Sequence, residues 1–306
     1  MDAHAHAVIG FVGLGAIGGP MCRNLALKHA GELWAYDLNP AAWEVLDGTR
    51  AHRASSLAEL ARECEIVFLS LPGGPQVEQV CLGPGGLAEG LRRPEVVVDL
   101  STTTVASARA VAQRLDALGV RFADAPVART REAARRGELS IMVGADAALF
   151  ARIEPWLRHL GSDITLCGEV GCGQVVKLIN NALVFEHTAA LAEMMVLGER
   201  AGVQPATLLE AVSKGSGDSF VLRNHARKAM LPREFPTQAF PPEYALKDIA
   251  CVLELAQHTG TPTPLTSLAR RYYQAAVDHG LGGRYFPVVI ELVERDVDVA
   301  ADSRQP

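Results

Sequence analysis

The 306-residue sequence predicts an α/β domain, built on a doubly wound, mostly parallel sheet, followed by an all-helical domain. Three observations predict this. Short β-branched runs alternate with helical stretches through the first half, strand signal vanishes after Gly173, and one long apolar-periodic stretch then takes over. With 49% hydrophobic and 21% charged residues, the chain has an ordinary globular composition. At this length two moderate cores are a better expectation than one.

In the first half the strand candidates are Val8–Val12, Leu33–Tyr36, Ile66–Leu71, Val96–Leu100, Val120–Ala123, Leu139–Val143 and Asp163–Leu166. Helical stretches Met21–His29, Leu57–Arg62, Ala106–Leu118 and Ala147–Leu157 lie between them. Strands fed through helices imply parallel pairing in a sheet covered on both faces. The stretch from Gln174 to Gly202 keeps apolar residues at three- and four-residue spacing and stops at a glycine. It is apolar around too much of its circumference for a surface helix, which points to a core position and a second subunit against it. Shorter helices are expected at Pro205–Ser213, Ser219–Met230, Tyr244–Thr259 and Leu265–Asp278. A boundary near Gly168–Gly173 divides the chain into residues 1–170 and 171–306.

Several function classes are disfavoured at this level. The formal net charge is -6 with both signs dispersed, unlike the basic face of a nucleic-acid binder. The six cysteines (Cys22, Cys64, Cys81, Cys167, Cys172, Cys251) form no C-x-x-C pair, so reduced thiols in a cytoplasmic protein are expected, with no metal. The N-terminal apolar run lacks the positive flank of a signal peptide, and no stretch of about 20 apolar residues suggests a membrane span. His4 and His6 read as a frayed terminus.

Gly13, Gly15 and Gly18 form G-x-G-x-x-G between the first strand and the first helix. The first glycine permits a tight turn, the second lets backbone amides approach a pyrophosphate, and the third lets helix and strand pack closely. Asp37 ends the second strand, where a carboxylate can accept hydrogen bonds from an adenosine ribose. This is the pattern of a Rossmann-type dinucleotide-binding domain. A carboxylate at that place repels a 2′-phosphate, and Leu38, Asn39 and Pro40 bring no arginine to offset it, so NAD is expected over NADP.

In GCGQVVKLINNA, Lys177 and Asn181 lie four residues apart and project from one helix face, about 6 Å apart along the axis. A lysine near a helix start opposes the helix dipole, which argues for a functional reason. Burial and the dipole would both favour the neutral amine of a proton donor and acceptor.

The chain resembles the β-hydroxyacid dehydrogenase family of 3-hydroxyisobutyrate dehydrogenase-like enzymes. Six blocks carry the resemblance in order: GFVGLGAIGGPM from Gly10, SLPGG at Ser70–Gly74, DLSTT at Asp99–Thr103, DAPV at Asp124–Val127, GCGQVVKLINN at Gly171–Asn181 and LKDIA at Leu246–Ala250. The resemblance implies that Leu14, Ala16 and Ile17 complete the pyrophosphate cradle, Ile17 replacing the usual methionine. It implies that Leu71, Pro72 and Gln76 line the cofactor, that Thr102 sits near the nicotinamide ribose, and that Lys247 reaches the cofactor from the helical domain. Lys177 would be the acid/base, assisted by Asn181. Ser101, Ala128, Arg129 and Thr130, together with Lys177 and Asn181, would bind the substrate.

One departure is larger. The family commonly shows S-G-G after D-A-P-V, where this chain has Ala128-Arg129-Thr130. An Arg-Thr pair at this place resembles sulfolactaldehyde reductase, in which it grips a sulfonate. A guanidinium beside a hydroxyl suits a multi-oxygen anion. Arg129 is therefore expected to hold the substrate anion, and Arg131, Arg135 and Arg136 to form a solvated face.

The implied activity is NAD-dependent interconversion of a small anionic 3-hydroxy acid and its semialdehyde, by a homodimer or homotetramer. A sulfonate-specific reductase, an imine reductase and a non-catalytic dinucleotide-binding scaffold are the rivals. Lys177 counts against the imine reductase, and Lys177, Asn181 and Lys247 together count against the scaffold. A 6-phosphogluconate dehydrogenase would need a longer helical domain.

Overall fold

The computed structural model describes residues 7–237, 239–297 and 299, so His4 and His6 lie outside the described residues. The chain divides into two compact units, Met1–Lys177 and Leu178–Pro306.

Among the described residues the first unit holds nine strands: β1 (Ile9–Val12), β2 (Leu33–Tyr36), β3 (His52–Arg53), β4 (Ile66–Leu69), β5 (Val96–Asp99), β6 (Arg121–Asp124), β7 (Val127–Ala128), β8 (Leu139–Gly144) and β9 (Gly161–Gly168). They form one sheet in the order β3-β2-β1-β4-β5-β6-β8-β7, with β9 paired to β8. Strands β1 to β6 pair in parallel, as the βα alternation requires. Strand β8 runs antiparallel to both β6 and β7. The reversal has a simple cause, because the six-residue helix α5 (Arg131–Arg136) between β7 and β8 is too short for a parallel crossover.

Helices α1 (Gly18–Lys28), α2 (Leu57–Glu63), α3 (Gly74–Leu82), α4 (Val105–Asp116) and α6 (Ala147–Leu157) complete this unit, with a 3-10 turn at Pro40–Leu46. The helix α3 and the two-residue strands β3 and β7 were not among the elements expected from the sequence. A proline in the first turn of a helix loses nothing there, and Pro75 stands in the first turn of α3. Apolar residues cover the sheet in two clusters, one around Ile9, Phe11, Phe68 and Ile141, the other around Val67, Leu69, Val97 and Phe122.

Register places the functional loops. Val12 is level with Tyr36 and Leu69, Leu69 with Asp99, and Asp99 with Asp124. The residues that follow these positions therefore leave the sheet along one carboxyl edge. Strand β1 lies between β2 and β4, so the order reverses beside it, the place where open α/β sheets take ligands.

In the second unit the helices are α8 (Pro205–Val212), α9 (Pro242–Thr259), α10 (Pro264–Asp278) and α11 (Ile290–Glu294), with a π-helix at Val221–Met230 and a 3-10 turn at Phe286–Val289. The 29-residue α7 (Cys172–Arg200) enters it from the first unit. Phe185, Ala189, Ala192, Met195 and Val196 of α7 face the second core, where Phe185 meets Tyr273 and Phe286 edge-on. Side chains add polar ties between α7 and α10, Thr266 donating to Glu186 and Tyr272 to Glu193. The rest of the α7 circumference is not core. Ile179, Leu183, Met194 and Leu197 are about half exposed on it. No helix among the described residues is long and apolar enough to cross a membrane.

Candidate active site

The glycine loop runs from the end of β1 into α1. Gly13 has φ 97°, and a Cβ there would lie 2.2 Å from the Ser70 carbonyl oxygen. A Cβ on Gly18 would lie 2.1 Å from the Gly13 carbonyl oxygen. Backbone packing thus demands both glycines. Gly15 differs, since a Cβ there would meet no protein atom within 4 Å. Gly15 and Ala16 are exposed, Ile17 is half-buried and Leu14 is buried beneath them. No side chain caps the α1 N-terminus and no acidic residue stands in its first turn. Open space, free backbone and positive dipole potential coincide, so the loop fits a pyrophosphate.

Asp37 leaves β2 beside this loop. Its Oδ2 accepts from the Leu14 amide at 2.6 Å and its Oδ1 from the Asn39 amide at 2.7 Å. Two backbone donors fix the carboxylate while leaving each oxygen a lone pair.

Leu71 and Pro72 follow β4, half-buried and exposed respectively, and Gln76 is exposed on α3. The Leu71 amide donates to Ser101 Oγ at 2.9 Å, tying the loop after β4 to the loop after β5. Ser101 is buried and Thr102 half-buried. Gln174, on the first turn of α7, is fully buried against the same loop. Its Nε2 donates to the Ser101 carbonyl at 2.8 Å, and its Oε1 accepts from the Thr103 amide at 3.1 Å.

Asp124, at the end of β6, accepts from the Gly171 amide at 2.6 Å and the Gln174 amide at 2.7 Å. Burial pushes its carboxyl up to about 6, although these backbone donors pull the other way. Neither Gln174 nor the role of Asp124 was read from the sequence, although both stand inside quoted blocks. The available signal was a glutamine among glycines and apolar residues at a helix start.

Lys177 and Asn181 are both buried on α7, one turn apart. Asn181 Nδ2 donates to Asp248 Oδ2 at 2.7 Å, and its Oδ1 accepts from Asn180 at 3.1 Å. Asp248 is itself buried on α9, and its other oxygen pairs with Lys247 Nζ at 3.2 Å. Asp248 is a third residue whose role the sequence reading passed over, though it sits inside LKDIA.

The Ala128-Arg129-Thr130 segment has a definite geometry. Ala128 ends β7 opposite Ser140 of β8. Thr130 caps α5, its Oγ1 accepting from the Ala133 amide at 3.3 Å. Arg129 has φ 89°, a left-handed conformation that L side chains rarely adopt. Its guanidinium donates to the Glu138 carbonyl at 2.6 Å, to Ser162 Oγ at 2.9 Å and to Asp163 Oδ2 at 2.7 Å. Ser162, then Arg129, holds the Asp163 carboxyl below the usual range. Arg129 therefore clasps the start of β9 here, whereas it was expected to be open to a substrate anion. Arg131, Arg135 and Arg136 are exposed, the last two pairing with Glu132 and Glu138. Among the described residues no cluster of three or more His, Cys, Asp or Glu could hold a metal ion.

Comparison with known proteins covers both units. Residues 8–168 match the family described as the NAD binding domain of 6-phosphogluconate dehydrogenase, and residues 171–293 match the family described as NAD-binding of NADP-dependent 3-hydroxyisobutyrate dehydrogenase. The chain is 34% identical to 2-(hydroxymethyl)glutarate dehydrogenase of Eubacterium barkeri, over 97% of this chain and 98% of that one. It is 35% identical to 3-hydroxyisobutyrate dehydrogenase of Pseudomonas aeruginosa, over 89% and 94%. Among solved structures, 3-hydroxyisobutyrate dehydrogenase from Salmonella typhimurium superposes with a TM-score of 0.82 at 29% identity, covering 94% of this chain and 99% of that one.

Proposed function

Because the chain belongs to the β-hydroxyacid dehydrogenase family, we propose that it interconverts a small anionic 3-hydroxy acid and its semialdehyde with NAD. The two curated relatives narrow the substrate class. 3-Hydroxyisobutyrate and 2-(hydroxymethyl)glutarate, the compounds in their names, share one unit: a hydroxymethyl group on the carbon that bears the carboxylate. A 2-substituted 3-hydroxypropionate is the proposed substrate.

The observation that carries the chemistry is the burial of Lys177, one turn before Asn181 on the same helix. A buried amine has little reason to be there unless it works. When bound at the glycine loop, the nicotinamide cofactor supplies the hydride acceptor or donor. Lys177 Nζ accepts the hydroxyl proton in the oxidation and returns it to the carbonyl oxygen in the reduction. In its ammonium form it also stabilises negative charge developing on that oxygen. Asn181 presents an amide whose orientation Asp248 and Asn180 hold. Lys247, paired to the same Asp248, is proposed as a further cofactor contact.

NAD is favoured over NADP because the Asp37 carboxylate cannot turn aside for a 2′-phosphate without abandoning two backbone amides. The exposed apolar stripe Ile179, Leu183, Met194 and Leu197 supports a homo-oligomer in which a second copy covers α7. Free cysteines agree with a cytoplasmic setting.

A sulfonate substrate is the second reading. It is supported by Arg129, whose ion pair with Asp163 is exposed enough to exchange for another anion. The test is a turnover screen with NAD and NADP against 3-hydroxyisobutyrate, 2-(hydroxymethyl)glutarate, 3-hydroxypropionate and 2,3-dihydroxypropanesulfonate, with Lys177→Ala alongside. The expected result is NAD-linked oxidation of a carboxylate substrate that Lys177→Ala lowers at least a thousandfold in kcat, with NADH affinity little changed. A mutant retaining a tenth of normal turnover removes Lys177 from the mechanism. Absence of turnover on every substrate favours the scaffold reading.

A further inference from the structure

We infer that Gln174 is a positioning residue for this reaction: its buried amide locks the Ser101–Thr103 loop to the first turn of α7 and so sets where Lys177 stands. The inference rests on the acid/base reading of Lys177 given above.

Gln174 is 0% exposed, and both ends of its amide are committed to backbone. Its bonds to the Ser101 carbonyl and the Thr103 amide bracket Thr102, the residue expected beside the nicotinamide ribose. The side chain therefore grips the peptide groups on either side of a proposed cofactor contact. Leu71, from the neighbouring loop, is joined to the same Ser101 through its hydroxyl. Two loops that line the proposed cofactor site are thus referred to one amide.

The backbone beneath that amide is held just as firmly. Asp124 accepts from the amides of Gly171 and Gln174, which caps the start of α7 with a carboxylate from a distant strand. Two glycines make room for it. A Cβ on Gly144 would lie 2.2 Å from Asp124 Oδ1, and one on Gly173 would lie 2.8 Å from Oδ2. The first turn of α7 is therefore pinned at its backbone by β6 and at its side chain by the loop after β5. Lys177 follows Gln174 by three residues, just under one turn further along the helix. A small slide or rotation of that turn moves the lysine by a similar amount relative to the cofactor loops. Misplacement by about 1 Å can cost on the order of a hundredfold in rate.

A buried glutamine satisfied by backbone could also serve stability alone, so the test needs readouts that stability does not move. Gln174→Met keeps the volume and removes both hydrogen bonds. Gln174→Glu keeps the pattern only while the acid is protonated, since a carboxylate has no hydrogen for the Ser101 carbonyl. The charged groups near it are the Asp124 carboxylate, the Lys177 amine three residues on, the Asp99 carboxylate that accepts from the Ser101 amide, and the Arg109 guanidinium, which donates to the Val170 carbonyl at 3.3 Å. α7 has no acidic residue in its first turn.

The full-length enzyme and both variants are compared with Lys177→Ala, using the best substrate of the screen and its carbinol-deuterated form. Gln174→Met is expected to lower kcat ten- to a hundredfold and raise the deuterium isotope effect, with NADH affinity within about fivefold of wild type. In Gln174→Glu, kcat is expected near wild type at low pH and to fall as pH rises, a step that wild type lacks. Unchanged kcat, isotope effect and pH profile in both variants, with only a lower Tm, would overturn the inference. If Lys177→Ala stays active, the acid/base reading fails and takes this inference with it. If Lys177→Ala is inactive while Gln174→Met is normal, only the positioning role is lost.

Discussion

Two loops of the first unit each turn through a left-handed residue, and they meet that demand in opposite ways. At Gly13, φ is 97° and a Cβ would strike the Ser70 carbonyl, so no other residue fits. At Arg129, φ is 89° and the chain carries a full arginine. A left-handed L-residue is strained by roughly 1–2 kcal/mol, and the three acceptors around the guanidinium are what offset it. A glycine is thus required where backbone crowds backbone. Where the left-handed turn faces open space, a side chain with partners can take its place. The first loop is set by the backbone it packs against at Ser70, the second by side-chain partners on β9.

The largest effect expected from this contrast is at Gly13. Gly13→Ala strains the turn and forces β1 away from Ser70, so NADH affinity should fall on the order of a hundredfold in fluorescence titration. Wild-type affinity in a folded Gly13→Ala protein would mean the loop is not the cofactor cradle. Arg129 allows a sharper test. If the guanidinium exchanges Asp163 for a substrate anion, Arg129→Ala lowers kcat/KM roughly ten- to a hundredfold, while Asp163→Ala leaves it unchanged or raised. A loss of equal size in both variants would make the clasp structural and place the anion elsewhere. NADH affinity should stay at wild type in either variant.

Asp37 belongs with the backbone-held groups. Asp37→Ala is expected to weaken NAD binding about tenfold and narrow the gap to NADP, by loss of both a ribose acceptor and a repelling charge. A wild-type enzyme that already prefers NADP in kcat/KM would refute the assignment.

Buried ionisable groups extend the comparison to pH. Asp124 is held by backbone donors, yet burial raises it to about 6. The native state then binds a proton more readily than the unfolded chain, so this group's contribution to stability falls as pH rises from 3.8 to about 6. His225 of the π-helix contacts Tyr285, and burial, then Lys228, pushes it down to about 4. Its contribution has the opposite sign, present above 6.5 and lost as pH falls toward about 4. Each is worth about 3 kcal/mol at most. Asp124→Asn and His225→Gln should therefore change the slope of unfolding free energy against pH in opposite directions, read by urea titration from pH 4 to 7. Slopes that match wild type would show that neither group is perturbed.

The smallest effect is expected on the solvated face. Arg135→Ala and Arg136→Ala, which remove exposed pairs with Glu132 and Glu138, should change kcat/KM by less than about twofold. A loss as large as that of Arg129→Ala would turn the whole run into an anion site.

Much of the molecule was legible before any coordinates. The glycine loop, the acidic end of β2, the alternation through β6 and the long α7 each depend on residues close together in the chain. Short-range rules of backbone sterics and apolar period act at that distance. Misreadings came where those rules compete. Gly73 and Gly74 ahead of Pro75 hid a helix start, and three- and four-residue spacing gives no warning of the π-helix at Val221–Met230.

What only the tertiary structure decided is the choice of partner. Asp124 finds Gly171 and Gln174, Gln174 finds the Ser101–Thr103 loop, Asn181 finds Asp248, and Arg129 finds Ser162 and Asp163. Sequence identifies each of these as a polar group that must be satisfied. It does not say by whom, because a hydrogen bond is made within about 3 Å, and only the packing of strands and helices brings residues far apart in sequence to that distance.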